Sequence, residues 1–507
     1  MRKLFLLSSI FLIPCSIYSQ QFGGNPPSQK WKQINTDSAK IIFPAGMDSQ
    51  ANRVASIVHY LAANSSAGPG SISLGSQLKK INIVLQNQTT IPNAYVQLGP
   101  FRSEFFLSPD MNNFGQGSIP WPDQLALHEY RHVQQFNNFN NGLSKLMKTL
   151  FGQEGYALAI NASIPDWFYE GDAVYYETVL SKQGRGRLPL FMNAFPSLWQ
   201  AGPQGAAPKK YSWMKLRNGS LKDYVPNHYY LGYLLVNYGR EKYGADFWTK
   251  VTTDASGYKG LFYPFQKAVK RHAGVDYKTF RADAFESYKK DTAGVAAIKD
   301  EFVLPVKKNY VTSYYFPNAA GNDSMLYLKS SFRHLPAFYI KDANGEHKLR
   351  TRDISIDEQF SYRNGKIVYA AYESDPRWGW KDYSVIKVLD VQTGQQHKLT
   401  SKTKYFTPDI SEDGSKVAAV QVDVNGRSEL HVIDATNGQL IKNIHSSEIS
   451  LFTDPKFIDD NTLVTAVRLN DGKMALATAE IATGNTMRLT PPSFNVVGNP
   501  SVNNGLI

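Results

Sequence analysis

Residues 125–136, LALHEYRHVQQF, set His128 and His132 four apart with Glu129 directly after the first. On a helix of 3.6 residues per turn the two imidazoles leave one face, one turn apart, and both can reach a single zinc ion at ~2.0–2.1 Å. Glu129 projects about 100° away from His128, beside such an ion rather than on it. A carboxylate there takes a proton from an activated water, so the pattern is that of metal-assisted hydrolysis. The competing reading is an ordinary polar helix. Chance alone gives this five-residue pattern in about one of a hundred chains of such composition, so the surroundings must decide.

The surrounding residues suit a helix from about 122 to 138, with Pro122 in the first turn and Asp123 at the positive end of the dipole. A catalytic zinc also needs a third protein ligand and one open position. The strongest donor is PDWFYEGDAVYYET, residues 165–178. Trp167, Phe168, Ala173 and Tyr176 form a packing face there, and Glu170 and Glu177 recur two turns apart. Gly171 permits the close approach of another helix.

Taken together, these two segments resemble the glutamate-type zincins, or gluzincins, whose fold is like that of thermolysin. In that group a second helix carries the third ligand, often as Trp-x-x-Glu-Gly-x-Ala, and Trp167 to Ala173 matches it, with Glu170 following His132 by 38 residues. The resemblance covers roughly residues 30–295 and implies an α+β thermolysin-like zincin domain. It implies that His128, His132 and Glu170 hold Zn²⁺, that Glu129 is the general base, and that the substrate is a peptide or protein. It further implies that part of 93–109, which reads as a hairpin or edge strand broken at Gly99-Pro100, binds extended substrate through its backbone. Some members of the group stabilise the oxyanion with a tyrosine; PNHYYLGY offers Tyr229 and Tyr230, of which Tyr230 is the candidate, with core packing as the alternative. Glu177 or Asp172 is a candidate to orient a ligating histidine, and Arg185 or Arg187 to clamp a substrate carboxylate. A solvated helix face and a basic surface loop account for the same residues. His228 and His272 read as packing or hydrogen-bonding residues.

The elements that must position these side chains begin with short strand-like runs at 38–46 and 79–88. Between them residues 48–64 have helical spacing, with Val54, Ile57, Val58 and Leu61 on one face. Beyond residue 122 the pattern is mainly helical, including 229–244 and 261–291. After about residue 300 it becomes all-β and repetitive. TPDISEDGSKVAAV from Thr407, DPKFIDDNTLVTAV from Asp454 and NPSVNNGLI from Asn499 align, with their prolines 47 and 45 residues apart. Turns ending at Gly345, Gly394, Gly438 and Gly484 recur in the same slot. A repeat of ~45 residues with about four short strands marks a β-propeller blade, whose faces are buried only by neighbouring blades. These repeats are similar to the TolB-type propeller repeats of bacterial envelope proteins, with SEDG at 411–414 where that family has Ser-Pro-Asp-Gly. The expected plan is a signal peptide at 1–19, a zincin domain at 30–295, a linker at 296–311 and propeller repeats at 312–507. The last comprise about four blades and the start of another. The chain reads as a fragment of a longer protein, since it ends inside a strand whose edge would be left open.

Length and composition agree with two domains: 507 residues, 42% apolar and 19% charged. The net charge of +12 is scattered, with no Lys/Arg block of the kind that tracks a nucleic-acid backbone, so no nucleic-acid partner is expected. Arg2 and Lys3 followed by the apolar run 4–14 form an export signal with a cut after Ser19, and no other run is long and apolar enough to cross a bilayer. Periplasm, outer surface and medium all remain open as destinations. Cys15 is the only cysteine; Leu12 three residues before it fits a lipidation site, whereas Pro14 directly before it does not. The rival to a secreted zinc peptidase is a non-catalytic envelope binding or assembly protein. It would act through its propeller on an envelope protein or peptidoglycan. Glu129 argues against this rival, because a purely structural metal site has no use for it.

Overall fold

The computed structural model describes residues 23–65, 78–199, 210–290, 309–321, 323–503 and 506–507. The expected signal segment, with Cys15, and most of the expected linker lie outside these residues. Two structural regimes follow each other along the chain, a mixed α/β region and an all-β region.

The first regime opens with five strands: β1 (Trp31–Asn35), β2 (Ala39–Pro44), β3 (Ile81–Gln86), β4 (Asn93–Gln97) and β5 (Arg102–Phe106). They form one sheet in the order β1-β2-β3-β5-β4. β2, β3 and β5 are parallel, while β1 and β4 pair antiparallel at the two edges. Helix α1 (Asp48–Ala63) makes the crossover from β2 to β3, as parallel strands require. Short α2 (Asn113–Gln116) precedes α3 (Trp121–Asn138). Val54, Val58 and Leu61 of α1 and Leu125, Tyr130 and Val133 of α3 share one buried cluster with Ile41, Ile83 and Phe105 of the sheet. The expected strands, first helix and hairpin are all present; β1, which has no alternating apolar pattern, was not anticipated.

The remaining helices are α4 (Gly142–Ser163), α5 (Asp166–Leu180), α6 (Pro189–Met192), α7 (Pro196–Trp199), α8 (Trp213–Asn218), α9 (His228–Tyr243), α10 (Phe247–Ser256), α11 (Pro264–Ala273) and α12 (Tyr277–Lys289). The helical pattern at 261–291 resolves into α11 and α12, because Gly274 takes a left-handed conformation (φ 74°) that ends the first. A second core, built on Trp167, Phe168, Leu231, Leu235, Trp248 and Phe265, joins α5, α9, α10 and α11.

The second regime is four antiparallel sheets of four strands, each in chain order. They comprise β6 (Thr312–Ala319), β7 (Met325–Ser331), β8 (Ala337–Asp342) and β9 (Gly345–Thr351); β10 (Phe360–Arg363), β11 (Lys366–Ser374), β12 (Asp382–Asp390) and β13 (Gln396–Lys398); β14 (Tyr405–Ile410), β15 (Lys416–Val422), β16 (Ser428–Asp434) and β17 (Leu440–Ile444); and β18 (Ile449–Phe457), β19 (Thr462–Leu469), β20 (Met474–Glu480) and β21 (Thr486–Arg488). Apolar clusters lie between the first and second sheets, the second and third, and the third and fourth, which is the packing of propeller blades. The recurring glycines close the turns between third and fourth strands, and all four hold positive φ.

The repeated X-Pro position is a structural joint. Phe316, Thr407, Asp454 and Asn499 each precede a proline and hold φ between 45° and 52°. In the first, third and fourth sheets this position interrupts the strand register as a bulge. At these joints the backbone N–H donates to a side chain of the preceding repeat: Thr407 N–H to Asp357 Oδ2 (3.0 Å), Asp454 N–H to Thr407 Oγ1 (3.2 Å), and Asn499 N–H to Asp454 Oδ2 (3.1 Å). Burial pushes the carboxyls of Asp357 and Asp454 up to about 6 from 3.8. Both therefore hold protons more tightly when folded, and their contribution to stability falls as pH rises through about 4 to 6. Asp454→Asn retains an acceptor for Asn499. It should raise Tm at pH 7.5, by the equivalent of about 1–3 kcal/mol, and leave it nearly unchanged at pH 4. Equal shifts at both pH values in thermal melts would overturn this account.

Candidate metal centre

Helix α3 presents His128, Glu129 and His132 on its buried face, all less than a tenth exposed. Helix α5 crosses it and carries Glu170. The donor atoms of His128, His132 and Glu170 lie within 4.8 Å of one another. Glu170 Oε2 is 3.1 Å from His128 Nε2 and 3.7 Å from His132 Nε2, and the two imidazole planes stand at 85°. Thus the three residues expected to converge do so, from helices separated by α4 in the chain.

What sets the position of Glu170 is the packing of α5 on its other side. Gly171 of α5 and Gly232 of α9 meet backbone to backbone, and a Cβ on either would overlap the opposite helix. The close approach that Gly171 permits is therefore to α9. Trp167 and Phe168, one turn earlier, are buried against Trp248 and Phe265 and lock the helix in rotation.

Each histidine has its own support. His128 Nδ1 faces Glu177 Oε2 at 3.2 Å and the Arg185 guanidinium at 2.8 Å. For Nε2 to be free to bind a cation, Nδ1 carries the proton, and Glu177 is the acceptor of the two. Arg185 donates to Glu177 through Nε (2.7 Å) and its backbone N–H (3.1 Å). Burial alone would raise the Glu177 carboxyl, but Arg185 and His128 hold it down at about 2. His132 Nδ1 instead faces Gln135 Oε1 at 2.9 Å. The Gln135 amide is fixed by donating to Asp172 Oδ2 and Tyr169 O, both at 3.0 Å. Asp172 in turn accepts from Arg131 (2.7 Å) and Arg240 (2.8 Å), so its charge is neutralised twice over. Glu177 is thus in direct contact with the Nδ1 side of His128, whereas Asp172 reaches His132 only through Gln135.

The electrostatics fit a cation. Burial works against protonated His132, yet the Glu170 carboxylate lifts it to about 9. The same imidazoles outweigh burial at Glu170 and hold its carboxyl well below the usual range. Burial raises the Glu129 carboxyl. Its Oε2 is buried with no hydrogen-bond partner, a costly condition unless a solvent molecule or substrate group meets it.

An open cleft of about 590 Å³ runs over these residues. Edge strand β4 forms one wall through Ala94 to Gln97, continued by Leu98, and Ile160 of α4 and Ile164 just past its end also line the cleft. Part of the expected 93–109 segment therefore borders the site. Tyr229 lines the cleft, its ring 6.3 Å from that of His128. Burial raises its phenol, which keeps it a donor. Tyr230, the expected catalytic tyrosine, points elsewhere and stacks on Phe191 at 4.2 Å, because adjacent helix positions differ by about 100° in direction. Arg185 is engaged with Glu177, and Arg187 donates to Thr178 O near the end of α5, so both guanidiniums have partners within the protein. His272 pairs with Asp254 at 2.9 Å, away from the cleft, while His228 lines it. Gln135 was missed; its position three residues after His132, on the same helix face, was the available signal.

No protein-family model matches the chain, and no curated protein matches it in sequence. Solved structures align with its propeller-like part. A putative TolB from Agrobacterium tumefaciens shares 13% identity over 33% of this chain and 61% of its own, with a TM-score of 0.28. TolB from Acinetobacter baumannii shares 19% over 33% and 41%, TM-score 0.27. The β-propeller domain of the Trilobed protease from Pyrococcus furiosus shares 12% over 36% and 58%, TM-score 0.27. The chain spans less than two thirds of each. The blade architecture stands on the four sheets themselves.

Two outcomes follow for the cation site. Because the Glu170 carboxylate raises His132 and a zinc ligand must be deprotonated, titration with zinc at pH 7 should release protons, and affinity should climb as pH rises. Calorimetry in buffers of different ionisation enthalpy reads this directly; no proton release would contradict the raised His132. Gly171→Ala should cost about 1–3 kcal/mol and weaken zinc binding at least tenfold by displacing Glu170, measured by thermal melts and zinc competition.

Proposed function

We propose that the chain is a zinc-dependent peptidase of the gluzincin type, which hydrolyses peptide bonds with water as the nucleophile. The observation that carries this reading is the unpartnered, buried Glu129 Oε2 beside three converging donors in an open cleft. A structural metal site would have a fourth protein ligand and no orphaned carboxylate.

His128, His132 and Glu170 would hold the metal. Bound zinc supplies a Lewis acid that polarises a carbonyl and brings the pKa of water towards ~7. Glu129 Oε2 takes a proton from the attacking water as its oxygen bonds to the carbonyl carbon. Glu129 then returns a proton to the leaving nitrogen as the C–N bond breaks. The Tyr229 hydroxyl donates to the oxygen on which negative charge develops. Glu177 and Gln135 hold the two imidazoles in the tautomer that leaves Nε2 free. The outer edge of β4 pairs with the backbone of an extended substrate, as an added strand would.

The site of action is outside the cytoplasm. Support comes from Arg2, Lys3 and the apolar run at 4–14, which read as an export signal. Among the described residues no helix is long and apolar enough to cross a membrane. The propeller repeats supply surface for an envelope protein or peptidoglycan partner.

The test is zinc content together with cleavage of a denatured protein substrate. The full chain should hold about one zinc and lose activity to a chelator. Glu129→Gln should lower kcat by about 10²–10⁴-fold with zinc retained. Tyr229→Phe should lower kcat by about 10²-fold with KM little changed, and Tyr230→Phe should not. Equal activity of wild type and Glu129→Gln would return the chain to the class of non-catalytic envelope proteins.

A further inference from the structure

The cleft over the three donors does not stop at His228. A second cavity, of about 610 Å³, opens beyond it, and Asp166, Arg217 and His228 line both spaces. Its near wall is the loop between α8 and α9; its far wall is the first propeller blade, through β6 and β7. The walls are joined where Val311 N–H donates to Leu221 O at 2.9 Å.

The chemistry of this chamber is neutral. Arg217 is paired with Asp166 at 3.0 Å, and Asp223 with Lys215 at 2.8 Å. Hydroxyls line the blade side at Ser313, Ser330 and Ser331. Two aromatic rings, Tyr224 at 58% and Phe332 at 65% exposure, are left without full cover on opposite walls. Paired charges, spaced hydroxyls and uncovered aromatics suit a neutral backbone with an apolar side chain, and do not suit a phosphate or an acidic polymer.

We propose that the first propeller blade is part of the substrate-binding surface: a polypeptide held along β4 continues past His228 into this chamber, where Tyr224 and Phe332 receive an apolar side chain. This rests on the peptidase reading above and adds a specificity site remote from the scissile bond. It gives the propeller a direct role in choosing substrate rather than a role in anchoring alone. Substrates long enough to reach the chamber are then preferred over short ones, since burying the two rings adds binding that a dipeptide cannot gain.

The test uses the zinc-loaded full chain and two series of hydroxamate peptides, one extended towards the N-terminus and one towards the C-terminus. In one series, lengthening from two residues to eight with a Phe or Leu near the far end should tighten binding at least tenfold. The gain should vanish in Tyr224→Ala/Phe332→Ala, while the two-residue parents bind wild type and variant alike. A gain that is absent in both series, or that survives the double substitution, overturns the proposal and leaves the peptidase reading intact. Failure of every short hydroxamate to bind overturns the peptidase reading, and this proposal with it. A muropeptide that displaces the extended probe better than the matching polypeptide would overturn the substrate class assigned here.

Discussion

The contact on which the rest of the site depends is the one between Gly171 and Gly232. A carboxylate can meet two imidazoles on α3 only if α5 is held at a fixed depth, and that depth is set from behind by a backbone-to-backbone contact with α9. Helices packed through larger side chains sit 8–10 Å apart with some latitude; two glycines remove that latitude. Trp167 and Phe168 then fix the rotation of α5, so that Glu170 faces α3 while its neighbours face the aromatic core.

Holding the donors there places many charges away from water, and burial of an unpaired charge is costly. Each buried charge is therefore answered by another. Glu177 is matched by Arg185, and Asp172 by Arg131 and Arg240. At the cleft Glu170 is answered by the two imidazoles, and what remains without a partner is Glu129 Oε2. The two histidines are supported differently: a carboxylate stands behind His128 and a neutral amide behind His132, so in the proposed site the first would be the stronger donor.

The blades also hold the loops that lead into the elements of the site. Asp382 accepts from Thr90, Lys404 donates to Asn87 O and Thr89 O, and Asn87 donates to Val424 O. These residues belong to the loop that leads into β4. Arg468 donates to Gly117 O and Asn113 donates to Thr453, which ties down the segment that leads into α3. The edge strand and the histidine helix are thus both entered from loops held by blades. A carboxylate such as Asp382 or an ammonium such as Lys404 gains its partner only when both parts of the chain are folded.

Several features were legible in the sequence because they are local. The spacing of His128, Glu129 and His132 is a property of one helix, and the blade repeat is a property of a period along the chain. The apolar face of 165–178 marked α5, and Gly171 beside Glu170 announced a close contact without naming the partner. Other features were decided only in three dimensions. Tyr229 and Tyr230 are neighbours of the same type, and which one enters the cleft depends on the rotation of α9, itself fixed by Gly232 and the packing of Leu231 and Leu235. Arg185 read as a free basic side chain until the fold buried it against Glu177. The meeting of the first blade with the loop before α9 joins residues nearly a hundred positions apart, and no periodicity records it. Periodicity determines which face of an element is apolar; the angle and depth at which faces meet depend on all their side chains at once, and those set the site.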